Sequence, residues 1–125
     1  MLYHRGQAHP LSEEPAAKDL LPLALLQIAT FPEREGYEIV LIDGNLYSIE
    51  EAHRRAVEAC EGALLFATTG ILCYQVADAY HCSRAVKARH PALPLFIGGW
   101  FASPAPEIQL PTGLHDAAPT AHAEP

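Results

Sequence analysis

The sequence predicts an α/β protein: an open parallel sheet with helices on both faces. Three observations carry this reading. Segments of strand character alternate with segments of helical period, and two of the strand segments are near-continuous apolar runs, as strands covered on both faces require. Each strand is then left through a glycine- or hydroxyl-bearing turn. Alternation at this spacing implies right-handed crossovers between parallel neighbours.

The elements follow in chain order. Met1-Leu2-Tyr3-His4 reads as the stub of a first strand. Leu21 to Arg34 reads as a helix with apolar spacing at Leu23, Leu26, Ile28 and Ala29, Pro22 in its first turn and Gly36 as a left-handed C-cap. Pro32 is expected to kink this helix or end it early. Residues 37–43 form a strand closed by Asp43-Gly44. Ser48-Ile49-Glu50-Glu51 is a capping box, and the helix it starts carries Ile49, Ala52, Ala56, Cys60 and Ala63 on one face, with Gly62 at its end. Residues 63–68 are a buried strand. A third helix runs from Cys73 to His90 with Val76, Ala77, Tyr80 and Val86 inward, and Pro91 stops it. Residues 93–97 form the last of four expected strands, near 1–4, 37–43, 63–68 and 93–97. One domain is expected over 1–118, and the Pro- and Ala-rich end, 119–125, reads as a disordered tail.

Composition narrows the function classes. With 125 residues, half of them hydrophobic and 18% charged, one domain with a packed core is expected. A net charge of −7, with no basic run longer than Arg54-Arg55, argues against nucleic acid as a partner, because a phosphate-tracking surface needs clustered cations. Three cysteines without a Cys-x2-Cys pair give neither a disulfide framework nor a structural zinc site, and they fit a reducing cytoplasm. The apolar run Leu20 to Ala29 is broken by Pro22 and is shorter than the roughly 20 residues a membrane span needs. Glu13, Glu14 and Asp19 precede it where a signal peptide carries positive charge, so a protein free of the membrane is expected.

Ligands of open parallel sheets bind at the carboxyl ends of the strands. Three segments leave strands there: Asp43-Gly44-Asn45, Thr68-Thr69-Gly70-Ile71 and Gly98-Gly99-Trp100-Phe101. Glycines admit a close ligand and threonines can bond it, yet the same residues also serve as plain turns, and spacing does not separate the two. Tyr74 reads equally as a ligand contact or a helix-start core residue. Trp100 reads as a lid, and Cys60 as core. Cys73 and Cys82, nine apart on different helical faces, do not read as a metal site despite the neighbouring His81.

Taken together, Leu21 to Ala29, Glu35 to Gly44, Thr68-Thr69-Gly70 with Tyr74-Gln75-Val76, and Leu95 to Trp100 with Ser103 and Pro106-Glu107 resemble the amino-terminal cobalamin-binding domain of radical-SAM enzymes. That group holds methyltransferases and the anaerobic porphyrin ring cyclase. The resemblance spans about residues 20–118, and the Gly-Gly-Trp segment is its most specific part. It implies a Rossmann- or flavodoxin-like fold, with a corrin over the carboxyl ends of the strands and its nucleotide tail in the sheet side of the domain. Asp43, Thr68, Thr69, Gly70, Ile71, Tyr74, Gly98, Gly99 and Trp100 would line the cofactor. Gly98 and Gly99 would open a slot for the tail, so that a side chain at either would fill the slot and leave the fold intact.

Two departures stand out. Relatives read Gly-Gly-Trp-His-Pro-Ser where this chain has Gly98-Gly99-Trp100-Phe101-Ala102-Ser103. The fifth strand of the family should begin near His115-Asp116-Ala117-Ala118, where the sequence turns instead towards Pro119. Other cobalamin domains carry an Asp-x-His-x-x-Gly motif whose histidine ligates cobalt. Here Leu2 and Gln7 flank His4 in place of the Asp and the Gly, so no protein imidazole is expected on the metal.

A second reading is a small flavodoxin-like or receiver-like regulatory domain that binds no corrin. Only Asp43 stands where a receiver's acidic cluster would, and Ser12 is the only hydroxyl residue between Gly6 and Leu20 for a flavin phosphate loop. A dinucleotide fold lacks its Gly-x-Gly-x-x-Gly. Under the first reading the chain alone is expected to catalyse nothing. Its cysteines, at 60, 73 and 82, do not form the Cys-x3-Cys-x2-Cys loop that holds the radical-SAM iron–sulfur cluster. The machinery that normally follows the cobalamin domain is absent from this sequence, so a truncated relative, or a carrier working with a separate radical-SAM protein, is expected.

Overall fold

Four short strands line up in one parallel sheet, and the first of them lies in its interior. The computed structural model describes residues 2–4, 21–71, 73–99 and 113–117. Its elements are β1 (Leu2–His4), α1 (Leu23–Arg34), β2 (Leu41–Asp43), a 3-10 turn (Gly44–Leu46), α2 (Ile49–Ala59), β3 (Phe66–Thr69), α3 (Cys73–Arg89) and β4 (Leu95–Gly98). The sheet order is β2-β1-β3-β4, with every pairing parallel. Residues 113–117 run beside β4 and add one parallel bridge, Phe96 to Ala117. Of the expected fifth strand, this bridge is what the described residues retain. The expected tail, 119–125, lies outside them.

The strands are shorter than their apolar runs. Among the described residues, Leu41–Asp43 is the part of 37–43 that pairs, in register with Leu2–His4 of β1. An apolar run records burial, whereas ladder length is set by the partner.

Alternating side chains divide the core between the two faces of the sheet. On one face, Leu25 and Ala29 of α1 pack against Leu41, Ala67 and the neighbouring Ile39. On the other, Ala52 and Ala56 of α2, Cys60 just beyond it, and Cys82 and Val86 of α3 enclose Tyr3, Ile42, Phe66 and Leu95. No helix among the described residues is long and apolar enough to cross a membrane.

Both flanking helices correct the sequence reading. In α1 the inward residues are Leu25 and Ala29, while Leu23, Leu26 and Ile28 are exposed. Leu23 to Pro32 carries no charge, so hydrophobicity leaves the rotational phase of this helix open. Nor does Pro32 end it: α1 continues to Arg34, and the Glu35 N–H is shared between the Phe31 and Pro32 carbonyls. Gly36, at φ 89°, then terminates it as expected. In α3 the expected inward set of Val76, Ala77, Tyr80 and Val86 keeps only Val86 fully buried. The buried stripe is Gln75, Asp78, Ala79, Cys82, Ser83 and Val86.

The start of α2 shows half of the expected capping box. Ser48 Oγ accepts the Glu51 N–H at 3.2 Å, but the Glu51 carboxylate is taken by Arg54 and Arg55, each at 2.7 Å. The two guanidiniums hold that carboxyl below its ordinary range, Arg54 foremost. Arg55 also lies over the Tyr47 ring, 4.5 Å from its centre.

Candidate functional site

The carboxyl edge of the sheet is one row of four residues in register: Asp43, His4, Thr69 and Gly98. One residue below it lies the row Ile42, Tyr3, Thr68 and Ile97. The edge row collects the ends of all four strands, and the row beneath faces α2 and α3.

Of the residues expected to line a cofactor, the structure brings Thr69, Gly70, Gly98 and Gly99 together where β3 and β4 end. The Gly70 N–H donates to the Gly98 carbonyl at 3.2 Å. The glycines there do different work. Among the described residues, a Cβ on Gly98 would meet nothing within 4 Å. A Cβ on Gly99 would lie 2.6 Å from Thr69 Oγ1 and 2.7 Å from the Gly70 carbonyl oxygen, and Gly99 holds φ 98°. A Cβ on Gly70 would press on Val76 Cγ2 at 2.9 Å. Gly70 and Gly99 are therefore required by the chain's own close packing. The expectation that either glycine of the Gly98-Gly99 pair could be filled without harm to the fold fails at Gly99, where a side chain would collide with Thr69 and Gly70.

The remaining expected residues are more dispersed. Asp43 sits at the far end of the edge row, and its carboxylate accepts the Asn45 N–H at 2.9 Å, the geometry of a turn. Ile71 is half exposed beside the β3 end, and its N–H is capped by Gln75 Oε1 at 3.0 Å. Tyr74, in the first turn of α3, is part-buried, and desolvation raises its phenol above the usual value. Thr68 points into the protein. Its hydroxyl is buried and has no hydrogen-bond partner among the described residues. Trp100 lies outside the described residues.

Beneath the edge lies a polar cluster that the sequence reading missed. Tyr3, fully buried, donates its hydroxyl to Asp78 Oδ2 at 2.6 Å. His53 Nε2 meets Asp78 Oδ1 at 2.9 Å, and its ring stands edge-on to Tyr3. A strand and two helices are thus tied to one carboxylate. One signal for it was present: Gln75, Asp78, Cys82 and Ser83 recur at helical spacing on a single face of α3. The expected inward set, Val76, Ala77, Tyr80 and Val86, includes none of these four. Burial pushes the Cys60 thiol up to about 11 and the Cys82 thiol higher still, with the Asp78 carboxylate adding to the latter. Both thiols are inert core groups.

A hollow of about 520 Å³ opens at the opposite, amino edge, beside Cys60, Ala63, Leu64, His90 and Leu93. It is remote from every strand end at which a parallel sheet takes its ligand. Comparison with protein-family models, with curated proteins and with solved structures finds no match.

Proposed function

We propose that this chain is a cobalamin-binding module that takes its cofactor over the carboxyl edge where β3 and β4 end. The observation that carries the reading is the contrast between Gly98, whose side-chain position meets nothing among the described residues, and Gly99, packed against Thr69 and Gly70. Such a pair leaves a gap at the strand end and fixes the wall beside it. The nucleotide tail of a cobalamin is long and mostly uncharged, and it needs a narrow slot lined by backbone and hydroxyls rather than by charge. The strand order, continued by residues 113–117 beside β4, follows the 2-1-3-4-5 order of doubly wound flavodoxin-like sheets. The buried Thr68 hydroxyl, one residue below the edge, is a further polar atom on the same strand end.

In this reading Gly98 admits the tail, Thr69 walls it, and Gly70 and Gly99 hold that wall in place. The exposed Ile71 offers apolar surface to the corrin rim. When bound, the cofactor supplies the cobalt chemistry, and no imidazole of this chain ligates the metal. The module binds and presents the cofactor to a radical-SAM protein or domain. Titration with hydroxocobalamin tests it: the account expects a saturable absorbance change and cofactor retained through desalting. A spectrum unchanged at millimolar cofactor would reject the reading.

A further inference from the structure

Residues 113–117 reach the sheet through a histidine whose surroundings, among the described residues, suit its neutral form. His115 is 4% exposed, and its Nε2 shares a hydrogen bond with Ser83 Oγ of α3 at 3.0 Å. Its Nδ1 is buried and has no partner among the described residues. A neutral imidazole carries one N–H, and Ser83 can serve it in either tautomer. A protonated imidazole carries two N–H groups, and among the described residues only one acceptor faces it. The charge would also be buried, which is costly without a paired anion.

The rest of the joint depends on the same segment. The Asp116 N–H donates to the Leu95 carbonyl at 2.7 Å, the Ile97 N–H donates to the Ala117 carbonyl at 3.1 Å, and Asp116 Oδ2 accepts the Leu95 N–H at 2.8 Å. Leu114 packs onto the core beside α3.

We propose that His115 is a proton-operated latch: neutral, it docks residues 113–117 against α3 and β4, and protonation releases them from the outer edge of β4. Among the described residues, the charged groups acting on it are Lys87 of α3 and Asp116 of its own segment, while β4 contributes no ionisable side chain. Lys87 opposes the imidazolium. Asp116 favours it, but that carboxylate is already engaged by the Leu95 N–H and by Lys87 Nζ at 3.5 Å. Desolvation is the largest influence and lowers the His115 pKa; Lys87 adds to it and Asp116 partly offsets it.

The sign follows. Undocked, the imidazole titrates near the ordinary histidine value of ~6.5; docked, it titrates lower. Between the two values the undocked state binds more protons, so docking weakens as pH falls, by at most about tenfold per pH unit. Asp116 is held below its ordinary range, foremost by the Leu95 N–H, and so stays charged through this window. The latch does not rest on the cobalamin reading.

Amide exchange by NMR tests it directly on the full chain. The Leu95 and Ile97 N–H groups donate into the segment, whereas those of Phe66 and Gly70 bridge β3 to the strand-four side through Pro94 and Gly98. From pH 7 to pH 5 the account expects protection factors at Leu95 and Ile97 to fall severalfold while those at Phe66 and Gly70 hold. In His115→Gln, which keeps a neutral polar side chain, the dependence should vanish. A flat profile in the wild type, or an equal fall in the variant, would overturn the proposal. A variant that fails to dock leaves a second readout, the imidazole ¹⁵N titration of the wild type. A His115 midpoint below the ordinary value, coincident with the loss of Ile97 protection, supports the latch, and a midpoint at or above that value overturns it.

Discussion

The helices α2 and α3 pack against the same face of the same sheet by opposite means. The buried stripe of α2 is Ala52 and Ala56, small residues that let the backbone come close and ask for no partner. That of α3 includes Gln75, Asp78 and Ser83, polar groups that can be buried only because something answers each of them. Asp78 is answered by Tyr3, 75 residues away in sequence, and by His53, 25 away. Ser83 is answered by His115. The face that α2 turns to the sheet is packed by shape, whereas α3 adds hydrogen bonds to its apolar contacts, one of them to His53 of α2 itself. The second arrangement also fixes rotation and register, since a slip of one residue along α3 would remove every partner at once.

The contrast is broken most severely at Asp78. Asp78→Ala removes the acceptor used by the buried Tyr3 hydroxyl and by His53, and should cost about 3 kcal/mol in urea unfolding. In a double-mutant cycle with Tyr3→Phe, the two losses should couple by about 1 kcal/mol. Additive losses would mean that the short hydrogen bond contributes nothing of its own. On α2 the sensitive direction is the reverse. Ala56→Leu forces extra volume against fully buried neighbours and should cost about 2 kcal/mol in the same experiment. A neutral result there would show that α2 does not sit as close as described. The smallest effect is expected at the helix start, where Ser48→Ala removes the acceptor for the Glu51 N–H and should cost about 1 kcal/mol.

The same contrast explains what could be read from sequence. In the stripe of α2, Ala52, Ala56 and Cys60 were legible because their spacing and burial agree, whereas Ile49 at its start is exposed and Ala63 only half-buried. The Gly36 C-cap and the four strand positions were legible because glycine, turns and apolar runs are local signals. The stripe of α3 was not, since a buried aspartate and a solvated one look alike until Tyr3 and His53 are placed beside it. The phase of α1 failed for a different reason: with apolar residues on nearly every side, no single face stands out. At the carboxyl edge, Gly98 and Gly99 look equivalent in sequence. They separate only when Thr69 and Gly70 are seen to press on one and not the other.

That separation also supplies the sharpest test of function. Gly99→Val adds a side chain at φ 98° into atoms 2.6 Å away, so it should unfold or rearrange the β4 end and cannot report on a ligand. Gly98→Val adds its methyl groups where no described residue stands within 4 Å of the new Cβ. The decisive measurement is therefore the affinity of Gly98→Val for hydroxocobalamin, read by absorbance titration on protein whose far-UV spectrum and urea midpoint match the wild type. The account predicts binding weakened at least tenfold, about 1.4 kcal/mol or more. Wild-type affinity in that folded variant would contradict it, because the slot would then lie elsewhere.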